Sequence, residues 1–339
     1  MSTPTAPPAS RPNRTLSTWR ALNGALIDAM TDDPTVFVMG EDLTTWGTGG
    51  GTYGITGKLL ATFGADRIRD TPISEEVIVS AAVGAAMRGV RPVVEIMYSD
   101  FSLLGMDGIV NQAAKARYMF GGQFDVPLVI RTNGGSGIGK AAQHSQSLET
   151  LFAHVPGLEV VVPGTPGDAY GLLRTAIASP NPTIFLEHKA LYNDRGPVGR
   201  EPIPFGRAAV AREGSDVTVV ATQLMRRHAL AAAEVLAEQG VSVEVVDPRT
   251  LFPLDMDTIA ASVRKTGRVL VAHEAPELFG FGGELVAQLT TRLWGDLKAA
   301  PRRLGGARTP IPYVAVQEAA VVPDAERIAA EIRDMVRDD

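Results

Sequence analysis

Residues 70–97, DTPISEEVIVSAAVGAAMRGVRPVVEIM, decide the fold class. Thr71-Pro72 is a helix-opening N-cap and N1 pair, with Ser74 as an alternative cap. The apolar run behind it predicts a helix to about Arg88, closed by Gly89, and then a buried strand over Val90–Met97. Upstream, Ser17–Thr31 carries Leu22, Leu26, Ile27 and Met30 at helical spacing, and Thr35–Met39 (TVFVM) reads as a short strand ending at Gly40-Glu41. Downstream, strands are expected at Val126–Arg131, Leu158–Val162 and Thr183–Glu187. Helices are expected at about Gly108–Met119 and Asp168–Ala178. Strands alternating with helices indicate parallel βαβ units.

The stretch Lys189–Asp216 breaks this rhythm with Pro197, Pro202, Pro204 and several glycines, and reads as an interdomain connection. A second alternating series follows: strand Val217–Ala221, helix His228–Gln239 with Gly240 as C-cap, strands Val241–Val246 and Arg268–Ala272, and helices Gly282–Trp294 and Asp324–Arg337. The expected architecture is α/β, with two parallel-sheet domains over residues 15–195 and 216–339 joined by a linker at 196–215. Open parallel sheets bind ligands at the carboxyl ends of their strands. That points to Gly40-Glu41, Glu95–Phe101, Arg131–Gln146 and His273-Glu274.

Composition narrows the function. The 339 residues carry a formal charge of −6, without the basic excess that nucleic-acid phosphates demand. There is no cysteine, which excludes disulfides, thiolate metal sites and a cysteine nucleophile. Residues 1–14, rich in Pro, Ser and Thr, read as a disordered tail and not as a signal peptide. The longest near-apolar run, Val77–Met87, falls far short of the ~20 residues a membrane span needs. A cytoplasmic protein, with neither membrane nor nucleic acid as partner, is the expectation.

Individual motifs carry competing readings. Gly134–Ala141 (GGSGIGKA) matches G-x-x-x-x-G-K after a strand, but Ala141 stands where a phosphate loop needs Ser or Thr. A flexible loop presenting His144 is the better account. Glu75 at a helix start either favours the positive helix end or is a buried acid aimed into a cofactor pocket, where desolvation and helix end pull its pKa in opposite directions. Its neighbour Glu76 faces another side and is expected in solvent. Glu41 and Glu95 each end an apolar strand. Each is either salt-bridged to an arginine or part of an acidic network near a site. Phe101 either packs in the core or stacks on a flat heterocycle. His154, on an apolar background, reads as a core histidine. His273-Glu274 is not HExxH, so zinc is not indicated.

Taken in order, GED (40–42), DTPISE (70–75), the Glu95–Phe101 strand end, NQAAKARYMFGG (111–122), AAQHSQSLETLFAHVPGL (141–158) and PRTLFPLD (248–255) carry a family resemblance. The chain resembles the beta subunit of thiamine-diphosphate-dependent 2-oxoacid dehydrogenases of pyruvate, branched-chain and acetoin type, from about Thr15 to its C-terminus. YMFGG and AAQHSQSLE look closest to acetoin- or pyruvate-type chains, whereas HEAP at 273–276 looks more like branched-chain enzymes.

The resemblance implies a transketolase-like pyrimidine-binding domain followed by a transketolase C-terminal-like domain. It implies that Glu75 hydrogen-bonds the aminopyrimidine ring nitrogen, so that the exocyclic amine can take the thiazolium C2 proton. Phe101 would stack on the pyrimidine, with Met97 beside it, and Glu41 and Glu95 would join a chain of acids. His144 would face the 2-oxoacid. Backbone carbonyls near Leu128, Ala176, Ser179 and Asn181 would form a monovalent-cation site, for K+. The family's diphosphate motif Gly-Asp-Gly does not occur; the nearest string is Met106-Asp107-Gly108. The diphosphate and its Mg2+ are therefore expected on an alpha subunit in an α2β2 assembly. A lipoyl acyltransferase core would receive the acyl group. A split transketolase-type subunit moving two-carbon units is the alternative.

Overall fold

The computed structural model describes residues 14–44 and 50–337. The tail expected at the N-terminus lies outside the described residues except for Arg14, which opens a strand. In chain order the strands are β1 (Arg14–Ser17), β2 (Val36–Glu41), β3 (Ile68–Thr71), β4 (Arg91–Ile96), β5 (Val129–Gly134), β6 (Glu159–Val161), β7 (Thr183–His188), β8 (Arg195–Val198), β9 (Ala209–Arg212), β10 (Val217–Ala221), β11 (Val243–Asp247), β12 (Thr250–Phe252), β13 (Val269–Pro276) and β14 (Arg302–Gly306). The α-helices are α1 (Thr18–Asp32), α2 (Leu59–Phe63), α3 (Glu75–Met87), α4 (Ala114–Met119), α5 (Glu149–Ala153), α6 (Pro166–Ala178), α7 (Gln223–Ala237), α8 (Met256–Thr266), α9 (Phe281–Leu293), α10 (Ala315–Val321) and α11 (Ala325–Arg337).

The first sheet runs β12-β6-β7-β5-β4-β2-β3, parallel throughout except for β12. Its central strands are apolar without alternation because helices cover both faces. The expected βαβ unit is there: β2 and β4 pair in parallel, and α3 lies between them in sequence. Helix α3 starts later than the Thr71-Pro72 pair predicts. Thr71 belongs to β3, and Ser74 takes the N-cap position without a side-chain cap bond. Helix α6 opens as Pro at N1 favours, with the Thr165 hydroxyl accepting from Asp168 N–H at 3.1 Å. Asp255 caps α8 likewise, and Gly267 at φ +75° closes it.

The second sheet runs β14-β13-β10-β11-β9, with β9 antiparallel at the edge. The two halves interlock more than a linker at 196–215 suggests. Strand β8 pairs with β1, β9 joins the second sheet, and β12 crosses back to lie antiparallel to β6 in the first. One core cluster accordingly joins Ile96, Phe152 and Ile184 to Val246, Ile259 and Leu285. Short, Pro- and Gly-interrupted strands carry too weak a period to be seen beforehand. No helix among the described residues is long and apolar enough to cross a membrane.

Candidate active site at the carboxyl ends of the first sheet

Parallel strands all end on the same side, so β2, β4, β5 and β7 deliver Glu41, Glu95, Gly134 and His188 to one rim. Gly40 is required there: a Cβ would sit 2.7 Å from the Glu95 carbonyl oxygen of the neighbouring strand.

Register makes the buried ion network. Glu95 is opposite Arg131, and Arg131 is opposite Phe185, two residues before Glu187 on the same face. Arg131 Nη1 donates to Glu95 at 2.6 Å, and its Nε and Nη2 donate to the two Glu187 oxygens at 2.7 and 3.0 Å. The Tyr192 hydroxyl adds a donor to Glu187 at 2.7 Å. Arg131 is only 1% exposed, yet burial does not neutralise it, because two carboxylates face it. Of the two readings for Glu95, the salt bridge is the one realised. Arg131 and Glu187 escaped sequence reasoning, although a charged residue inside the apolar run PLVIRT was a usable signal.

Glu41 and Glu75 behave differently. Glu75 is the first residue of α3, 5% exposed, and it makes no hydrogen bond or ion pair among the described residues. Glu41 Oε1 is buried without a partner. Burial first, then the charges of Glu75 and Asp42, push the Glu41 carboxyl up to about 7. The Glu75 charge is thus felt at Glu41, which binds its proton more tightly than an ordinary carboxyl. Glu76 is exposed, as expected.

His144 is half-buried between two rings. Its imidazole centroid lies 4.5 Å from Tyr98 and 5.4 Å from Phe101, the latter edge-on. The structure brings Phe101 and His144, two residues singled out separately in the sequence, into ring contact, and adds Tyr98. Met97 is half-buried at the end of β4. Phe101 sits in a 3-10 turn, Ser99–Gly105, packed on α3 so tightly that a Cβ at Gly105 would lie 3.3 Å from the Glu75 carbonyl oxygen. Around this corner Ile73, Val77, Leu103 and Leu104 are exposed, Ile73 at 81%. Four such apolar side chains beside a buried acid form a patch of the kind that partners cover.

The Gly-rich loop is not a phosphate cradle. Its amides already hold anions from the chain itself: Ser136 N–H donates to Glu274, and Gly137 and Gly139 N–H donate to Glu318 at 2.9 and 3.1 Å. His154 is exposed rather than core; it lines an apolar cavity of about 630 Å³ with Phe252 and Phe281. Among the described residues no cluster of His, Asp and Glu could hold a metal ion. Three of the carbonyls expected to bind a monovalent cation each accept a hydrogen bond within the chain. Leu128 O accepts from Thr183 N–H at 2.8 Å, Ala176 O from Ser179 N–H at 3.2 Å, and Ser179 O from Arg91 Nη1 at 3.1 Å. The Asn181 side chain bridges Arg117 and Glu159. Arg91 supplies positive charge at Ser179 O, and each of these carbonyls keeps a second lone pair.

Comparison with known proteins agrees with this layout. Residues 14–195 match the family model "Transketolase, pyrimidine binding domain" and residues 206–328 match "Transketolase, C-terminal domain". The chain is 46% identical to the acetoin:2,6-dichlorophenolindophenol oxidoreductase subunit beta of Cupriavidus necator, covering 94% of this chain and 97% of that one. It is 45% identical to the 3-methyl-2-oxobutanoate dehydrogenase subunit beta of Mycobacterium tuberculosis, over 88% and 86%. It is 43% identical to the mitochondrial pyruvate dehydrogenase E1 component subunit beta-2 of Oryza sativa, over 91% and 83%. Among solved structures, an inactive beta4 tetramer of split-gene transketolase superposes with a TM-score of 0.77 at 21% identity, covering 95% of this chain and 98% of that one.

Proposed function

Because the chain belongs to the family of 2-oxoacid and acetoin dehydrogenase beta subunits, we propose that its Glu75 corner is the pyrimidine half of a thiamine diphosphate site shared with an alpha subunit. The observation that carries the reading is a buried Glu75 carboxyl with no hydrogen-bond partner among the described residues, beside the orphaned Glu41 oxygen. An acid left unpaired at that depth costs free energy unless a ligand supplies its partner. A ring nitrogen of an aminopyrimidine is such a partner, and the nearby Phe101 ring offers a stacking face. When bound, thiamine diphosphate supplies the electron sink for loss of CO₂ from a 2-oxoacid.

This chain's own residues then have separable tasks. Glu75 hydrogen-bonds the pyrimidine nitrogen. Glu41, raised to about 7, shares the acid pair's charge so that both carboxyls need not ionise together. His144, held between Tyr98 and Phe101, faces the 2-oxo group and moves a proton or assists acyl handover. The diphosphate and its Mg2+ fall to the alpha subunit: the chain has no Gly-Asp-Gly motif, and the amides of the 134–139 loop are filled by Glu274 and Glu318. Ile73, Val77, Leu103 and Leu104 supply apolar surface for that subunit to cover. A lipoyl group on an acyltransferase partner takes the acyl fragment, the chain having no thiol of its own.

The split-transketolase alternative is not favoured: the transketolase likeness is structural, at 21% identity, whereas the relatives at 43–46% are dehydrogenase subunits. Co-expression with an alpha partner, followed by a scan of pyruvate, branched 2-oxoacids and acetoin with an artificial electron acceptor, tests the proposal. Reduction of the acceptor with at least one of them, and none by this chain alone, is the expected result. Silence with every substrate, or turnover of a ketose phosphate instead, overturns it.

A further inference from the structure

The loop 134–147, which carries His144, is built from glycines. Gly135, Gly137 and Gly139 all have positive φ, at +83°, +93° and +64°. A chain of that composition loses much conformational entropy on being fixed, so something must hold it. Three side chains from outside the loop do so. Lys189, at the end of β7 and 4% exposed, donates through Nζ to the carbonyl of Gly135 at 2.9 Å and to the carbonyl of His144 itself. Glu274, on β13, accepts from Ser136 N–H and from the Ser147 hydroxyl, so it grips both stems of the loop. Its other oxygen lies 2.7 Å from His188 Nε2. Glu318, on α10 and 4% exposed, accepts from two further loop amides.

The geometry is closed on every side. His188 is turned toward Glu274 because its Nδ1 accepts from Ala190 N–H, which leaves Nε2 to donate. Gly135 packs so closely on that imidazole that any Cβ there would overlap it. The Lys189 ammonium lies 5.3 Å from the Tyr98 ring centroid, and Tyr98 is one of the two rings flanking His144. Two of the three holding groups come from the C-terminal half of the chain, more than 120 residues from the loop in sequence. Each bond joins a charged group to a neutral backbone or hydroxyl partner, a strong class of hydrogen bond.

We propose that Lys189, Glu274 and Glu318 are positioning residues that fix the His144 loop, and that this makes the C-terminal domain part of the catalytic apparatus. The inference rests on His144 facing the substrate, but its structural half can be read without activity. Hydrogen exchange in the assembled holoenzyme should find the amides of Ser136, Gly137 and Gly139 protected to the level of strand β5. Exchange at the rate of an open glycine loop overturns the proposal outright.

Lys189→Met and Glu318→Ala then separate positioning from general stability. Each should release protection over 134–147 while leaving β10 and β11 unchanged. Each should lower kcat, by roughly 10- to 100-fold for Lys189→Met, with KM within about twofold, as expected for a misplaced reacting group. Glu318→Ala, farther from His144, carries the test if Lys189→Met fails to assemble. Loss of kcat without loss of loop protection, or a rise of KM with kcat unchanged, overturns the positioning role. A His144→Ala enzyme with full activity would instead fault the substrate-facing assignment of His144, and the exchange data on the wild-type loop would still decide the latch.

Discussion

Two clusters of carboxylates share one rim of the first sheet, and they are built on opposite terms. Around Arg131, every charge is answered: Glu95 and Glu187 receive its donors and Tyr192 completes Glu187. Around Glu75, nothing among the described residues is answered: Glu75 makes no hydrogen bond or ion pair there, and a Glu41 oxygen is buried without a partner. The two lie one strand apart, since Gly40 beside Glu41 is in register with Glu95. The difference teaches where the chain stabilises itself and where it leaves room for something else. A satisfied buried ion network specifies a fold, and an unsatisfied one marks a site.

The largest effect should come from breaking the unanswered side. Glu75→Ala, assembled with its alpha partner, should lose about 10²–10⁴-fold in kcat, the usual worth of a positioned acid. Its thermal stability should hold or rise, because an uncompensated buried acid is removed. Steady-state rates and a thermal scan on the same preparation check both. A variant that keeps its activity but melts early would make Glu75 a structural residue and erase the contrast.

The answered side should fail in the opposite way. Arg131→Met leaves Glu95 and Glu187 buried and facing each other, which should cost about 3–5 kcal/mol of stability. Denaturant unfolding of the assembly measures it. A companion Arg131→Met/Glu95→Gln/Glu187→Gln triple variant should recover much of the loss. Failure to recover would mean that the network does more than satisfy its own charges.

Acidity offers a finer discrimination. With the Glu41 carboxyl raised to about 7 in the folded chain, its protonated form is favoured by folding. The stability it contributes is therefore fully present below the ordinary carboxylate value of about 4.5 and is lost as pH rises through about 7. Glu149, raised to about 7 chiefly by burial, adds the same slope. Glu41→Gln should flatten the decline between those limits, and adding Glu149→Gln should flatten it further, leaving the part that Asp247, likewise raised to about 7 chiefly by burial, contributes. Melting temperature against pH for the two variants is the measurement. An unchanged curve in Glu41→Gln would place the Glu41 proton elsewhere.

How far these clusters were legible in the sequence follows the same division. The βαβ rhythm shows because α3 and β4 are mainly apolar runs separated by Arg88-Gly89, and Glu75, Phe101 and His144 stand out by local position. Glu95 could be placed at a strand end, but its partner could not be chosen, because pairing across β4 and β5 is set by register, not by spacing. The positioning contacts were hidden for a related reason, although the sequence marks His273-Glu274 as a strand end. Glu274 and Glu318 reach the His144 loop across 138 and 181 residues of chain, and nothing local to HEAP or VQEAA reports where those carboxylates arrive. Strand β12 shows the limit most plainly: three residues in PRTLFPLD leave their own half to pair with β6.

The smallest expected effect concerns a third charged cluster, around Arg91, intermediate between the other two. Arg91 donates to the carbonyls of Ile177 and Ser179 at 2.9 and 3.1 Å and pairs with Asp33 at 3.5 Å, with its side chain 29% exposed. It is answered like Arg131 but hydrated like a surface group. It also caps the negative end of α6, where a cation is favoured by a fraction of a kcal/mol. Solvent screening trims each contribution, so Arg91→Met should cost only about 1 kcal/mol. The cost should be equal in potassium and in sodium buffer, since the side chain itself carries the charge that the neighbouring carbonyls face. A loss of stability that potassium alone repairs would instead assign the carbonyls near Leu128, Ala176, Ser179 and Asn181 to an ion. It would move this helix end from the satisfied side of the comparison to the unsatisfied one.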